Sequence, residues 1–246
     1  MVAEAMKGEP LRVLVTGGSR GIGLEFTRQL LARGSRVIAA SRRAGASEDL
    51  RTLAAEHGSR LRVLDLDVAA PGSRARFVDL VAEGTPAIDL LINGAGIISG
   101  GEDGFRAFGD LDQESLSRTF LVNAIAPLLL TEGLVTLLER GVRPAVVNIS
   151  SDSGSITQQR FPGGYGYCAS KTALNMITKT LSVELRDRGI IAVVLHPGWV
   201  KTTMAYTEKA PLESAESIAG MLRVIDGLRP EDSGRFLDWR GEEMPW

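Results

Sequence analysis

The sequence contains one cysteine, Cys168, and two histidines, His57 and His196, among its 246 residues. A single cysteine excludes an intrachain disulfide, so we expect the protein to work in a reducing, intracellular compartment. We also predict that it holds no metal ion. A catalytic pair of an acid and a histidine could therefore use only His57 or His196.

An excess of either charge is also lacking, because 28 lysines and arginines face 30 acidic residues and the net charge is −2. Such a balance does not favour binding to nucleic acid or to an anionic membrane. The longest apolar runs, such as 190–195, are far shorter than the roughly 18 residues that cross a bilayer. Residues 1–10 lack the apolar core of a signal peptide. We therefore predict a cytoplasmic protein that binds neither nucleic acid nor membrane.

Short β-rich runs, by contrast, alternate with stretches of helical spacing along the whole chain. The runs are apolar nearly throughout, which is typical of strands buried on both faces of a parallel sheet. Such alternation predicts a doubly wound α/β sheet of about seven strands with helices on both faces. No linker divides the chain, so we expect one domain, 1–246, with 1–10 as a flexible extension. The predicted strands are Arg12–Thr16, Arg36–Ala40, Leu61–Leu66, Asp89–Ile92, Ala145–Ile149, Ile190–Leu195 and one near Gly234–Asp238.

The glycine-rich stretch TGGSRGIG follows the first predicted strand and opens the first predicted helix. In that context Gly17, Gly21 and Gly23 predict a turn that holds the pyrophosphate of a dinucleotide at a helix N-terminus. A plain strand–helix turn is the alternative. Another is the G-x-S-x-G turn of a hydrolase with Ser19 as nucleophile. That turn needs an acid and then a histidine later in the chain, where only His57 and His196 are available.

The second predicted strand ends in Ser41 and Arg42, where a site for NAD usually carries an acidic residue. An arginine can bind the additional 2′-phosphate of NADP, and Arg20 in the glycine turn could reach the same group. These residues favour NADP(H) over NAD(H). The alternative is that both arginines are solvated surface charges.

The stretch YCASK places Tyr167 and Lys171 four residues apart, on one face of a predicted helix. An ammonium group near a phenol lowers its pKa, which suits a general acid/base. A surface tyrosine and lysine at this spacing are the alternative. Upstream, NISSDSG at the end of a strand offers Ser150, Ser151 and Ser153, and active sites of doubly wound sheets lie at such ends.

Six motifs occur in a fixed order: TGGSRGIG, NGAG, VNAIAP, NISSDSG, YCASK and HPGWVKT. In this order the sequence resembles the short-chain dehydrogenase/reductase family over essentially its whole length. It resembles most the sniffer-like and C-factor-like carbonyl reductases. The resemblance implies a Rossmann-type fold and the transfer of a hydride between NADP(H) and a small carbonyl or alcohol substrate.

The resemblance also implies a role for each motif residue. Tyr167 would be the general acid/base, Ser151 would bind the substrate oxygen, and Lys171 would lower the tyrosine pKa and bind the nicotinamide ribose. Asn123 would hold a water molecule that links the lysine to solvent. The implied cofactor contacts are Gly17, Ser19, Arg20, Gly21, Ile22, Gly23, Ser41, Arg42, Asp67, Val68, Asn93, Ala95, Gly96, Tyr167, Lys171, Pro197, Gly198, Val200 and Thr202.

The sequence departs from the family pattern at Gly94, where an asparagine is usual, and we expect a looser turn there. The segment 154–166 is longer than in many members and is predicted to form part of the substrate wall. By analogy, we expect a homodimer or homotetramer that pairs helices near 113–139 and 166–187. The alternative to an enzyme is a cofactor-sensing regulatory or signalling protein on the same fold.

Overall fold

The computed structural model describes residues 10–98, 106–202, 204 and 209–246. The described residues form a sheet of seven parallel strands in the order β3-β2-β1-β4-β5-β6-β7, as the strand pattern predicts. Each predicted strand is present, with ends that differ by at most two residues. The strands are β1 (Arg12–Thr16), β2 (Arg36–Ser41), β3 (Leu61–Asp65), β4 (Leu90–Asn93), β5 (Ala145–Ile149), β6 (Ile191–His196) and β7 (Phe236–Asp238).

Helices connect the strands, and local sequence signals fix where several of them begin. The Ser47 side chain accepts a hydrogen bond from the N–H of Leu50, and that of Asp112 accepts one from Ser115. Both are caps at a helix N-terminus. A π-helical turn, Leu121–Ile125, joins the fourth and fifth helices into one continuous run. The helices are α1 (Gly21–Ala32), α2 (Glu48–His57), α3 (Pro71–Gly84), α4 (Gln113–Phe120), α5 (Ala126–Glu139), α6 (Tyr165–Glu184) and α7 (Ser214–Gly227).

Alternate side chains of each strand enter separate apolar cores on the two faces of the sheet. On β1, Val13 and Val15 belong to the core that includes side chains of α1, α2 and α7. Leu14 belongs to the opposite core, which includes side chains of α3, α5 and α6. Helices therefore cover both faces, which explains why the strands are apolar without alternation.

The strand order reverses between β1 and β4, because the chain moves outward to β2 and β3 and then returns to the other side of β1. The crossover connections on the two sides of this point diverge and leave a crevice beyond the carboxyl ends of the strands. Thr16, Ser41, Asn93 and Ile149 end the strands nearest this crevice. The site should therefore lie there.

The continuous helical run Gln113–Glu139 has 27 residues and a mean hydropathy of 1.8 in its most apolar window. By length and composition alone it is long enough to cross a bilayer, which the short apolar runs of the sequence do not suggest. However, 56% of that window is buried inside the fold, as in the core helix of a globular protein. The predicted flexible extension, 1–10, lies outside the described residues except for Pro10, and the expected single domain stays a prediction.

Candidate active site

A cleft of about 1610 Å³ lies at the carboxyl ends of the strands. It exceeds the roughly 300–1,000 Å³ of a typical small-molecule pocket, so it has room for a dinucleotide beside a substrate. Asn93 and Asn123 are not among its lining residues. The remaining predicted residues line it: Gly17, Ser19, Arg20, Gly21, Ile22, Gly23, Ser41, Arg42, Asp67, Val68, Ala95, Gly96, Ser151, Tyr167, Lys171, Pro197, Gly198, Val200 and Thr202.

The glycine turn is folded so tightly that side chains cannot replace its glycines. Gly17 has a φ of +72°, and a Cβ on Gly23 would lie 2.3 Å from the Gly17 carbonyl oxygen. Arg20 precedes α1 without capping it through its side chain, and the first turn contains no acidic residue. The first N–H groups of α1 therefore point into the cleft without a competing carboxylate, as a phosphate site requires.

The turn after β4 is held firmly, although the usual asparagine is replaced by Gly94. The Thr16 hydroxyl accepts hydrogen bonds from the N–H groups of Gly94 and Ala95, each at 3.1 Å. A Cβ on Gly94 would lie 2.9 Å from the Thr16 carbonyl oxygen, so the close approach of β1 favours glycine here. These contacts fix the turn to β1, and the looser turn expected from the sequence stays a prediction.

Asn93 is buried behind this turn instead of facing the cleft. Its amide nitrogen donates to Asn148 Oδ1 at 2.8 Å, and Asn148 Nδ2 donates to the Thr178 hydroxyl at 2.8 Å. These three side chains form what we call the polar bridge, which joins β4, β5 and α6. Asn93 thus supports the cofactor turn from within the core.

The end of β2 has the features of a site for an additional phosphate. The Ser41 hydroxyl is buried and has no hydrogen-bond partner among the described residues. An unsatisfied buried hydroxyl is costly, and a bound ligand oxygen would satisfy it. None of the neighbouring arginines, Arg20, Arg42 and Arg43, forms an ion pair with a described carboxylate, although all three line the cleft. The residues present therefore fit the ribose phosphate of NADP.

Tyr167 and Lys171 share one face of α6, and the strand β5 brings Ser151 beside them. Ser151 hydrogen-bonds Tyr167. Lys171 is buried, and its Nζ donates to the Ile149 carbonyl oxygen at 2.8 Å and lies 5.7 Å from the centroid of the Tyr167 ring. The three side chains that the family motifs single out are thus brought together at one wall of the cleft.

Burial opposes the charged forms of both members of this pair. It raises the pKa of Tyr167 to about 12, while the hydrogen bond from Ser151 acts in the opposite direction. Burial also lowers the pKa of Lys171 to about 8. The predicted lowering of the Tyr167 pKa by Lys171 is not seen in this arrangement, because loss of solvent dominates. At neutral pH the tyrosine therefore holds its proton and can act as an acid.

Asn123 lies in the π-helical turn, a feature often found at functional sites. Its Oδ1 accepts from the Ile97 N–H at 2.8 Å, and its Nδ2 donates to the Ile97 carbonyl at 2.9 Å and to Ser170 Oγ at 3.0 Å. The Ser170 hydroxyl donates to the Tyr167 carbonyl. The Asn123 amide therefore connects the first turns of α6 with the loop that follows β4. Its implied role, to hold a water molecule that links Lys171 to solvent, stays a prediction.

Several lining residues were not identified by sequence reasoning. Asp152 follows Ser151 directly, and its N–H donates to His196 Nδ1 at 3.2 Å. Burial lowers the pKa of His196, which is consistent with a neutral ring that accepts this bond. Phe161 belongs to the segment predicted as substrate wall, whereas Arg118 on α4 had no local signal. Further lining residues outside the predicted set include Arg43, Ile98, Trp199 and Met204.

The described part of the chain contains no group of three or more histidine, cysteine or acidic side chains that could hold a metal ion. The polar side chains of the cleft carry hydroxyl, ammonium and guanidinium groups, together with the carboxylates of Asp67 and Asp152 and the imidazole of His196. This chemistry suits phosphate binding and proton transfer.

Comparison with known proteins places these features in context. A model of the short chain dehydrogenase family matches residues 12–212. A Myxococcus xanthus protein named C-signal is 44% identical over 162 residues, which are 66% of this chain and 95% of that protein. The NADPH-bound carbonyl reductase from chicken fatty liver is 36% identical with a TM-score of 0.89, over 97% of this chain and all of that chain. The carbonyl reductase Sniffer of D. melanogaster is 29% identical with a TM-score of 0.88, over the same shares.

Proposed function

The chain belongs to the short chain dehydrogenase family, and we propose that it is an NADP(H)-dependent carbonyl reductase with Tyr167 as its general acid. One observation carries this proposal: Ser151, Tyr167 and Lys171 converge at one wall of a cleft large enough for a dinucleotide. The likeness in fold to two carbonyl reductases supports the same reaction. The apolar residues that line the cleft, among them Phe161 and Trp199, support a small organic carbonyl compound as substrate.

In the proposed reaction the Ser151 hydroxyl, which donates to Asp152 Oδ1 in this structure, turns to donate to the carbonyl oxygen of the substrate and holds it beside the Tyr167 hydroxyl. NADPH, when bound, supplies the hydride that reduces the carbonyl carbon. Tyr167 gives its proton to the oxygen as negative charge develops there. The Lys171 ammonium then stabilises the phenolate that remains. Burial raises the pKa of Tyr167 to about 12, so the tyrosine carries the proton that this reduction needs at neutral pH.

Ser41, Arg42 and Arg20 support NADP(H) over NAD(H) as the cofactor. The unpartnered Ser41 hydroxyl and the unpaired guanidinium groups would bind the 2′-phosphate directly. The similar chicken carbonyl reductase binds NADPH. The remaining lining residues would hold the rest of the cofactor. The glycine turn would bind the pyrophosphate, Asp67 and Val68 the adenine, and the segment Pro197–Thr202 the nicotinamide.

Replacement of Tyr167 by phenylalanine tests the proposal, because it removes the acidic hydroxyl and keeps the ring. We expect kcat/KM for a neutral aldehyde to fall by about 100-fold or more, with NADPH affinity retained. Tyr165→Phe is the matched control, since Tyr165 is 45% exposed, packs against Phe108 and has alanine four residues later. Full reductase activity in Tyr167→Phe would overturn the assignment.

A cofactor-sensing or signalling protein is the second candidate, and its one support is the similarity to the protein named C-signal. Such a role alone would not require the proton-donating arrangement around Tyr167. NADPH binding without turnover of a broad set of carbonyl compounds would favour this candidate over a reductase.

We further propose a soluble cytoplasmic protein that assembles as a homodimer or homotetramer and binds neither nucleic acid nor membrane. Exposed apolar side chains on α5, α6 and the π-helical turn support assembly through these helices. They are Ile125, Leu129, Met176 and Val183.

A further inference from the structure

Around Ser151 and Tyr167 the cleft has an apolar wall with one acidic side chain in it. Phe161, Trp199 and Met204 line this part of the cleft and are 39%, 54% and 38% exposed. Such surfaces suit an apolar or aromatic body. Asp152 lines the same part of the cleft, directly after Ser151. The Asp152 carboxylate neither gives nor takes the proton in the proposed reaction. Its function in the cleft therefore has to be a different one.

The Asp152 carboxylate is fixed close to the place where the substrate oxygen would bind. Its Oδ1 accepts from Ser151 Oγ at 2.9 Å and from the Ser153 N–H at 2.8 Å. A carbonyl oxygen held by Ser151 at about 2.8 Å would therefore lie within about 6 Å of this carboxylate oxygen. A charged group on the body of the substrate lies farther away, on the order of 10 Å, where its interaction with the carboxylate is weak but still present at low salt.

No described lysine or arginine forms an ion pair with Asp152, so no described cation neutralises its charge directly. The negative charge raises the pKa of both Tyr167 and Cys168, and it opposes the effect of burial on His196. Of these three residues, Tyr167 and His196 line the cleft. The field of Asp152 thus reaches the groups that a bound substrate would touch.

The positively charged side chains of the cleft lie in other parts of it than Asp152. Arg20, Arg42 and Arg43 lie around the end of β2 and the glycine turn, and Lys171 is buried below Tyr167. Arg118 lines the cleft from α4 with an exposed side chain, and it is the one cation that could offset Asp152 for an anionic substrate. The substrate-side wall itself contributes no cation among the described residues.

We propose that Asp152 is a specificity-determining residue, which makes the site select neutral and cationic carbonyl compounds with an apolar body over anionic ones. This inference rests on the proposed reductase function. A cationic group would be attracted by the carboxylate and by the aromatic faces of Phe161 and Trp199. A carboxylate-bearing aldehyde or keto acid would be repelled.

The test compares three benzaldehydes that carry a methyl, a carboxylate or a trimethylammonium group in the para position. With NADPH and low salt, the ratio of kcat/KM for the anionic to the neutral aldehyde should rise about two- to fourfold in Asp152→Asn. The ratio for the cationic to the neutral aldehyde should fall. Because Asp152 contacts Ser151, the substitution can lower the activity toward all three aldehydes. A ratio of kcat/KM for two aldehydes in the same variant cancels this general loss. Both shifts should shrink at high salt, because the side chain is exposed to solvent.

Three further variants sharpen the test. Asp152→Glu keeps the charge and should keep the wild-type ratios. Asp79→Asn removes an equal charge from the exposed face of α3 and should leave them unchanged. Arg118→Gln removes a cation from the cleft and should not raise the anionic ratio.

Unchanged ratios in Asp152→Asn, with the neutral aldehyde still reduced, would overturn the inference and leave the reductase function standing. An equal rise in Asp79→Asn would likewise overturn it, because the selection would then come from the overall charge of the protein. If the wild-type protein binds NADPH but reduces none of the three aldehydes, the proposed function fails, and the inference fails with it.

Discussion

At the scale of single residues, the proposed preference for NADP(H) depends on Arg42 and Ser41. Arg42→Ala should weaken NADPH binding by about 10- to 100-fold, because a charge-assisted contact to the 2′-phosphate is lost. NADH binding should be unchanged. A titration followed by nicotinamide fluorescence measures both affinities.

Arg36→Ala is the control for this substitution, because Arg36 is exposed at the opposite end of the same strand, β2. An unchanged ratio of NADPH to NADH affinity in Arg42→Ala would contradict the phosphate assignment and leave the tyrosine chemistry untouched.

Residue identity and spacing were sufficient to predict which catalytic side chains come together, but not the state of their protons. Tyr167 and Lys171 are four apart on one helix, so the pairing follows from helical geometry. Their pKa values depend on how far β5 and the loop after β4 cover them, which is a property of tertiary packing. Asp152 was passed over for a related reason, since its significance depends on what faces it across the cleft.

At the scale of elements, the glycine turn connects the stability of the fold with cofactor binding. A Cβ on Gly23 would lie 2.3 Å from the Gly17 carbonyl oxygen, so Gly23→Ala must displace the turn from the start of α1. We expect a loss of about 1–3 kcal/mol in the free energy of unfolding and at least tenfold weaker NADPH binding. Urea unfolding and cofactor titration provide the two measurements.

Gly45→Ala is the matched control, because a Cβ at Gly45 would meet no atom within 4 Å. Wild-type NADPH affinity in Gly23→Ala would contradict the role given to this turn.

Among the elements, the strands were predictable because each is a short apolar run that is buried on both faces. The π-helical turn at Asn123 was not, since nothing in VNAIAP distinguishes it from an ordinary helix. The support of the turn at Gly94 was missed because it comes from Thr16, 78 residues away in sequence. Local patterns specify elements, whereas contacts between distant segments specify how turns are held.

At the scale of the whole molecule, α6 carries an apolar surface with no described partner in the chain's own core. Met176 and Val183 are 65% and 60% exposed and lie seven residues apart, on one helix face. If this face joins two subunits, Met176→Glu combined with Val183→Glu should convert a dimer or tetramer into a monomer. Sedimentation velocity measures the change.

Leu80→Glu on α3 is the control for this assembly, because Leu80 is 45% exposed on a different helix. Sedimentation of the wild-type protein as a monomer would remove the expectation of assembly altogether. The doubly wound parallel sheet with helices on both faces was predicted from the sequence, but the surface through which copies associate is set by shape and cannot be read from the motifs alone.

The polar bridge of Asn93, Asn148 and Thr178 has a consequence for how the native state opens. It crosses from the strand that supports the cofactor turn, through the middle of the sheet, to the helix that carries Tyr167 and Lys171. Each of its groups is buried, so a local fluctuation that released one of them would leave the others unsatisfied. These segments should therefore open as one cooperative unit in amide hydrogen exchange. We therefore expect fluctuations that open the proposed cofactor turn to displace the proposed proton donor, Tyr167, together with it.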